Sequence, residues 1–417
     1  MIDWVSGAAA FAFLLTIAVL ALVIRILPLP SDAMVKGSAA KIHTLDGLRG
    51  VVALGVVVHH AIMTYLEQAR GRTGAPESHF QNQLGSTGVA IFFMISAYLF
   101  CGALIRNDGR LDLVKFVESR LWRIIPLYSV LVCLTVFCAF YLTDFTLLVS
   151  PQKIVTSIVR LGLFSFVEIY PVNTANILHF FGQVWTLRFE WMLYALLPIL
   201  GYFMRIARSP WPLFFGLFVC SVYNPLFSFF VVGAAAWVLV GCDSPRGKTL
   251  WQILGLAGFL IVLFGYHDSR AWPQAILLTP FFIAVLQGRR WFALLGMRPL
   301  RLLGDISFSL YLLHPFSLWI VSHMIVGVGR YPAMGMVELI GVIMLSAVLS
   351  IGVGVIGFKV IEQPLMGQRP LSNWLDARKT KRTRDLDGRS DWADEFDRDG
   401  GPGGIADDLL ATATAKG

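Results

Sequence analysis

The stretch LDGLRGVVALGVVVHH, residues 45–60, decides how this chain reads. From Gly50 to Val58 it is apolar without interruption, yet it opens on Asp46 and Arg49 and closes on His59 and His60. An apolar run of roughly 20 residues is what a bilayer core of about 30 Å requires. An ionisable group inside such a run costs at least ~2.5–3.5 kcal/mol and is seldom there without a role. Arg49 and His60 are eleven positions apart. On an α-helix this is about 1100° of rotation, so the two return to within about 20° of one face, roughly 16 Å apart along the axis. His59 lies about 80° from Arg49 in the other sense. The spacing predicts a guanidinium at one mouth of a membrane-spanning helix and an imidazole near mid-depth on the same stripe. A ligand with a phosphorylated head and a long thin arm would fit that separation. Asp46 is expected to cap this helix or to pair with Arg49 at i,i+3.

Outward from this stretch the whole chain has the same character. Of 417 residues 56% are hydrophobic and 14% charged, against about 25% charged in an average soluble domain, and the mean hydropathy is +0.69. Apolar runs place helices at about 5–27, 44–65, 86–105, 121–143, 185–206, 211–223, 225–241, 249–266, 272–288, 304–327 and 334–358. The fold class is therefore all-α, a polytopic transmembrane helix bundle of about eleven helices. Tyr223-Asn224-Pro225 marks either a turn between two helices, or a kink, or a re-entrant segment.

Cytoplasmic loops are enriched in Lys and Arg. With the first helix running inward, one side receives Arg25, Lys36, Lys41, the basic residues from Arg106 to Arg123, Arg205, Arg208, Arg246, Lys248, Arg289, Arg290, Arg298, Arg301 and the basic tail. The other receives only Arg70, Arg72, Lys153, Arg160, Arg270 and Arg330. This predicts an N-terminus outside and a C-terminus in the cytoplasm. The net charge of +8 reads as this bias and not as nucleic-acid binding.

Three regions follow. Residues 1–43 form an additional N-terminal transmembrane helix and a Pro, Ser and Gly linker. The first helix lacks the positive n-region of a cleavable signal. Residues 44–365 form the main membrane domain. Residues 366–417, mixed in charge and rich in Gly, are expected to be a disordered cytoplasmic tail. Cys101, Cys133, Cys138, Cys220 and Cys242 form no CxxC pair, so packing is expected for them and no metal site.

Six segments in order carry a family resemblance. LDGLRG, with its histidine eleven residues after the arginine, resembles the opening of the membrane acyltransferase-3 family. GVAIFFMISAYL at 88–99 is similar to that family's GVxxFFxxSGYL, and RLWRIIPLY at 120–128 to its RxxRIxPxY. WTLRFEWMLYALLP at 185–198 is similar to WTLxxExxFYxxxP, and GDISFSLYLLHP at 304–315 to GxxSYxxYLxHxP. Glu362-Gln363-Pro364 matches the closing ExP. The pattern is departed from at Ala97 for Gly, Phe308 for Tyr and Leu193 for Phe.

The resemblance implies an integral membrane O-acyltransferase of the inner (cytoplasmic) membrane. The acyl group, expected to be acetyl, would pass from acyl-CoA to a hydroxyl of a cell-envelope glycan, a lipid-linked sugar or a secreted small molecule. No permanently bound cofactor is implied. His60 and Glu190 are then the catalytic candidates. A neutral imidazole can take the proton of the attacking hydroxyl, or carry the acyl group itself, and Glu190 would orient it. Arg49, Arg120 and Arg123 are the donor-binding candidates, because a guanidinium donates two hydrogen bonds to one phosphate. Ser96, Tyr311 and His314 are candidates for the acceptor path. His314 could instead satisfy backbone freed by Pro315, and Ser96 could join helices.

The external segment 144–184 carries an apolar part at 154–167 that is expected to lie at the interface. Transport or flipping of a glycan precursor is the alternative function, since ionisable groups at mid-depth are also transport signatures. The chain shows no inverted repeat that would favour it.

Overall fold

The computed structural model describes residues 4–26, 42–74, 76, 78–241, 245–265, 271–288 and 290–378. The linker over 27–41, Cys242 and the tail beyond 378 lie outside the described residues. Among the described residues the chain is helical, with a lone bridge between Val172 and Ala175. In order the helices are α1 (Trp4–Ile26), α2 (His43–Arg70), α3 (His79–Arg106), α4 (Leu113–Tyr141), α5 (Pro151–Leu161), α6 (Leu178–Phe181) and α7 (Trp185–Ala207). There follow α8 (Trp211–Tyr223), α9 (Phe227–Val240), α10 (Pro245–Phe264), α11 (Trp272–Gln287), α12 (Arg298–Asp305), α13 (Ser307–Trp319), α14 (Met336–Gly357) and α15 (Gln363–Leu365).

Among the described residues eight helical segments are long and apolar enough to cross a membrane, and α8, α9 and α11 are shorter apolar helices. At 1.5 Å per residue α8 and α9 each reach about 20 Å, short of the bilayer core. The break between them falls at Asn224, whose Oδ1 accepts the Leu226 amide at 3.1 Å.

The chain divides into two compact units. The larger comprises Met1–Leu111 and Arg123–Met366. Its centre is α2 and α3: 72% and 67% of their most apolar windows are buried, against 22% for α10. Glycine makes the approach to α2 possible. A β-carbon on Gly47 would strike the Leu295 carbonyl, and one on Gly50 would meet the Leu300 carbonyl and the Leu303 side chain. One on Gly304 would strike the Asp46 carbonyl. The glycines of LDGLRG and GDIS are thus the two sides of one contact between α2 and α12. Ala97, where the family has Gly, faces Gly233: its Cβ lies 2.9 Å from where a β-carbon on Gly233 would stand.

Helix α1 is docked and not merely attached. Val5, Ala8, Ala9 and Ala12, spaced to share one face, are fully buried in a cluster with Ile62, Tyr65, Leu339 and Ile343. Ser6 Oγ also lies 3.0 Å from Gln81 Nε2, which donates to it.

The smaller unit comprises Asp112–Trp122 and the chain from Gly367. Here the expectation of disorder from 366 onward is corrected over 370–378, which are helical. Glu118 Oε1 accepts the Leu371 amide at 2.7 Å, and its Oε2 accepts the Ser372 amide at 2.9 Å and hydroxyl at 2.6 Å. A carboxylate therefore satisfies amides left open at the start of that helix. The composition conveyed no periodicity there, and the ordering comes from this long-range cap.

Candidate functional site

Helix α2 runs unbroken from His43 to Arg70, so the helical arithmetic for Arg49 and His60 holds. The two side chains meet different surroundings, and α13 lines both.

At the deeper end, His60 Nδ1 is 3.0 Å from the Val56 carbonyl and 3.1 Å from His314 Nε2. His314 is fully buried, and its Nδ1 is 2.7 Å from the Tyr311 carbonyl. Proline at 315 has no N–H to give the carbonyl four residues back, and that carbonyl is Tyr311's. His314 supplies the missing donor. A carbonyl only accepts, so the His314 proton must sit on Nδ1 and its Nε2 must be a bare acceptor when the ring is neutral. His60 therefore donates from Nδ1 to Val56 and His314 together. Its own lone pair is left on Nε2, which has no partner among the described residues. His59, packed against Gly85, lies with its Nδ1 2.7 Å from the Gln81 carbonyl.

His59 and His60 form the floor of a cavity of about 600 Å³. Its walls include Glu67 and Gln68 in the last turns of α2, Arg72 beyond its end, Asn176, His179 and Gln183, and the indoles of Trp185 and Trp319. A cavity of this volume matches a small-molecule or sugar site.

At the Arg49 end a cluster of charges gathers. Arg123, Asp46, Glu362 and Glu190 all act electrostatically on Arg49. Arg123 Nη2 lies 3.6 Å from Glu362 Oε1, an ion-pair distance too long for a hydrogen bond. Its guanidinium also sits 5.9 Å from the ring centre of Phe308. Ser309 Oγ donates to Glu362 Oε2 at 2.7 Å. Arg49 itself has no carboxylate within ion-pair reach among the described residues, which leaves its fork available to an anion. Asp46 does not cap α2, because the cap position is Ile42.

The remaining candidates divide between these places. Glu190 does not reach His60. It accepts from Ser96 Oγ at 3.2 Å and Tyr194 OH at 3.3 Å, while the hydrogen bonds of His60 go to His314 and the Val56 carbonyl. None of Ser96, Tyr311 and His314 lines the cavity wall. Tyr311 OH donates to the Gln183 carbonyl at 2.9 Å and stands 2.9 Å from Thr186 Oγ1, while Ser96 is spent on Glu190. Spacing along one helix could not reveal which neighbour each side chain meets. Arg120 belongs to the smaller unit, where its Nε donates to Ser119 Oγ at 3.3 Å.

Three participants were not singled out from sequence for these roles. Glu362 binds Arg123 and Ser309, Gln183 braces α13 through Leu312 with Nε2 donating at 2.9 Å, and Gln81 offers its carbonyl to His59. An acidic residue in an apolar helix was a signal for Glu362; a backbone carbonyl leaves none.

The six segments thus pair in space: RLWRIIPLY with ExP and GDIS, GVAIFFMISAYL with WTLRFE, and LDGLRG with both GDIS and, eleven residues on, LLHP.

Comparison with known proteins places the same stretch of chain in one family. The profile of the acyltransferase-3 family, described as an acyltransferase domain, matches residues 42–357. O-acetyltransferase OatA of Staphylococcus aureus is 25% identical over 339 residues, covering 68% of this chain and 52% of that protein. The exopolysaccharide production protein ExoZ of Rhizobium meliloti is 24% identical over 309 residues, covering 68% of this chain and 90% of that protein. The chain therefore spans about half the length of the staphylococcal relative. No solved structure matches.

Proposed function

We propose that this chain, which belongs to the acyltransferase-3 family, is a multi-pass membrane O-acyltransferase that moves an acetyl group from acetyl-CoA to a hydroxyl of a cell-surface glycan or lipid-linked sugar. The observation that carries this reading is the lone pair of His60 Nε2. Its proton-bearing nitrogen is held by Val56 and His314, and its ring forms part of the floor of a cavity of about 600 Å³.

The chemistry follows from that tautomer. The acceptor hydroxyl gives its proton to His60 Nε2 as its oxygen bonds to the thioester carbonyl carbon. The tetrahedral intermediate then collapses, the carbon–sulfur bond breaks, and the CoA thiolate takes the proton back from the imidazolium. His60 is the general base, and Nδ1 stays hydrogen-bonded throughout. The names of OatA and ExoZ, an O-acetyltransferase and an exopolysaccharide production protein, support acetyl as the group and a polysaccharide as the acceptor class.

The basic end of the bundle faces the cytoplasm, by the excess of Lys and Arg in its loops, and the membrane is the inner one. Acyl-CoA enters there. Arg49 binds its phosphates first, and Arg123 joins once an anion competes with Glu362 for it. Glu190 sets the charge balance beside Arg49. The cavity above His60 opens on the opposite side and takes the acceptor.

Purified protein in nanodiscs, given radiolabelled acetyl-CoA, tests this. Thioester consumption that requires His60 and stops in His60→Ala is expected. Consumption that persists unchanged in that variant would remove His60 from the chemistry, and glycan movement with no thioester consumption would make the protein a transporter.

A further inference from the structure

A second cavity adjoins the one above His60. It measures about 630 Å³, and Asn176, His179, Trp319 and His323 line both. Those four side chains border both volumes, so the second cavity is the immediate neighbour of the one that holds His60. The imidazole of His323 is stacked on the Trp319 indole, 5.3 Å between centres at 22°, within a π-helical segment Ile320–Val326, a geometry frequent at functional sites.

The far side of this second cavity is built from two strained turns. Thr143 to Thr146 turns with Asp144 and Phe145 at φ of 48° and 53°, closed by the Thr146 amide on the Thr143 carbonyl at 2.8 Å. Val172 to Ala175 turns with Asn173 and Thr174 at φ of 50° and 74°, closed at 2.9 Å. Turns with both central residues at positive φ ordinarily use Gly or Asn, and a β-branched residue such as Thr174 is an outlier there. Such strain persists only where the surroundings impose it, and it gathers at ligand sites. Asn173 imposes it here. It is buried, and its Nδ2 donates to Thr143 Oγ1 at 2.7 Å and the Thr146 carbonyl at 2.6 Å, while its Oδ1 accepts the Leu148 amide at 2.8 Å. The result turns Asp144 and Thr174 into the cavity.

The lining has one carboxylate, Asp144, with threonine hydroxyls, an amide, two imidazoles and an indole, and neither Lys nor Arg. These groups suit a neutral polyol: hydroxyls for the polar atoms, an aromatic ring for the C–H face. They do not suit an anion. The geometry points to a second sugar subsite, which holds the neutral sugar unit next to the one acylated, so the acceptor is a chain of at least two units. This inference rests on the acyl-transfer reading for its catalytic end.

The test offers neutral cello- and chito-oligosaccharides of one to four units, and oligogalacturonates of equal length, to the full chain in nanodiscs with labelled acetyl-CoA. Binding is read by tryptophan fluorescence and transfer by label. In a neutral series, two or more units should bind about tenfold tighter than one, the gain of one or two good hydrogen bonds. Asp144→Asn and Thr174→Gly should remove most of that gain and leave the single-unit affinity and the KM for acetyl-CoA unchanged. Thr174→Gly should also raise the melting temperature, because it relieves the turn; a lowered melting temperature with unchanged length dependence would mark Thr174 as merely structural. Affinity independent of length in both neutral series, tighter binding of the oligogalacturonates, or variants that weaken every length alike would overturn the subsite. Thioester consumption that depends on His60 is read separately without sugar, so a failed subsite leaves that result standing and a failed His60 leaves the binding series standing.

Discussion

His314 Nε2 stands 3.1 Å from His60 Nδ1, while its other nitrogen is 2.7 Å from the carbonyl of Tyr311. One side chain therefore repairs the hydrogen bond that Pro315 removes from α13 and fixes which nitrogen of His60 keeps its lone pair. The repair and the catalytic arrangement cannot be separated, and this sets the first expectation.

Replacing His314 by Ala should slow transfer about 10–100-fold, less than the roughly 10²–10⁴-fold loss expected for His60→Ala. It should also destabilise the fold by about 1–3 kcal/mol, since the Tyr311 carbonyl is left buried without a donor. Label transfer and thermal unfolding in detergent measure the two effects. Equal losses in both variants would make His314 a reacting group and not a positioning one.

Transfer should slow as the medium is acidified, because a protonated His60 has no lone pair for the hydroxyl proton. A rate–pH profile shows the sign. If acid quenching in the absence of acceptor yields an acetyl group on His60 by mass spectrometry, the residue is a nucleophile and the base mechanism fails.

Arg49 and Arg123 should differ in what their loss does to stability. Arg49→Ala is expected to raise the KM for acetyl-CoA about 10–100-fold, the worth of hydrogen bonds to a charged group, with little change in unfolding. Arg123→Ala should cost stability, about 3–5 kcal/mol, because it strands the fully buried Glu362 carboxylate. The reverse pattern would exchange their assignments.

Glu190→Gln keeps the shape beside Ser96 and Tyr194 but removes a charge acting on Arg49. The expected change is in the KM for acetyl-CoA, with the shape of the rate–pH profile unaltered. A shifted profile would tie Glu190 to His60 after all.

Gly47→Ala and Gly50→Ala should each destabilise by about 1–3 kcal/mol, as overpacking does, because the added methyl strikes the backbone of the segment at 295–304. Ala97→Gly is the control, expected to change unfolding by about 1 kcal/mol or less. Wild-type stability in the two glycine variants would mean that α2 can draw away from α12.

Much of the fold was legible because the bilayer imposes a simple length rule on apolar runs. The span read at 5–27 is α1 at Trp4–Ile26, and the break read at Tyr223-Asn224-Pro225 separates α8 from α9. The helix at 370–378 was not legible, since its order depends on Glu118, some 250 positions earlier in the chain. The site was half legible. Helical periodicity placed Arg49 and His60 on one face, but the neighbours of Glu190, Ser96 and Tyr194, were not legible, because burial and charge mark a residue without naming what it touches.

Sequence alone established the membrane-spanning helices and the stripe shared by Arg49 and His60, since each of these depends on one helix and its solvent. It took the packed structure to bring Glu190 to Ser96 and Tyr194, Glu362 to Arg123, and His314 to His60. Those relationships join residues up to 254 positions apart. They are set by how helices pack, a property that periodicity along any single helix does not contain.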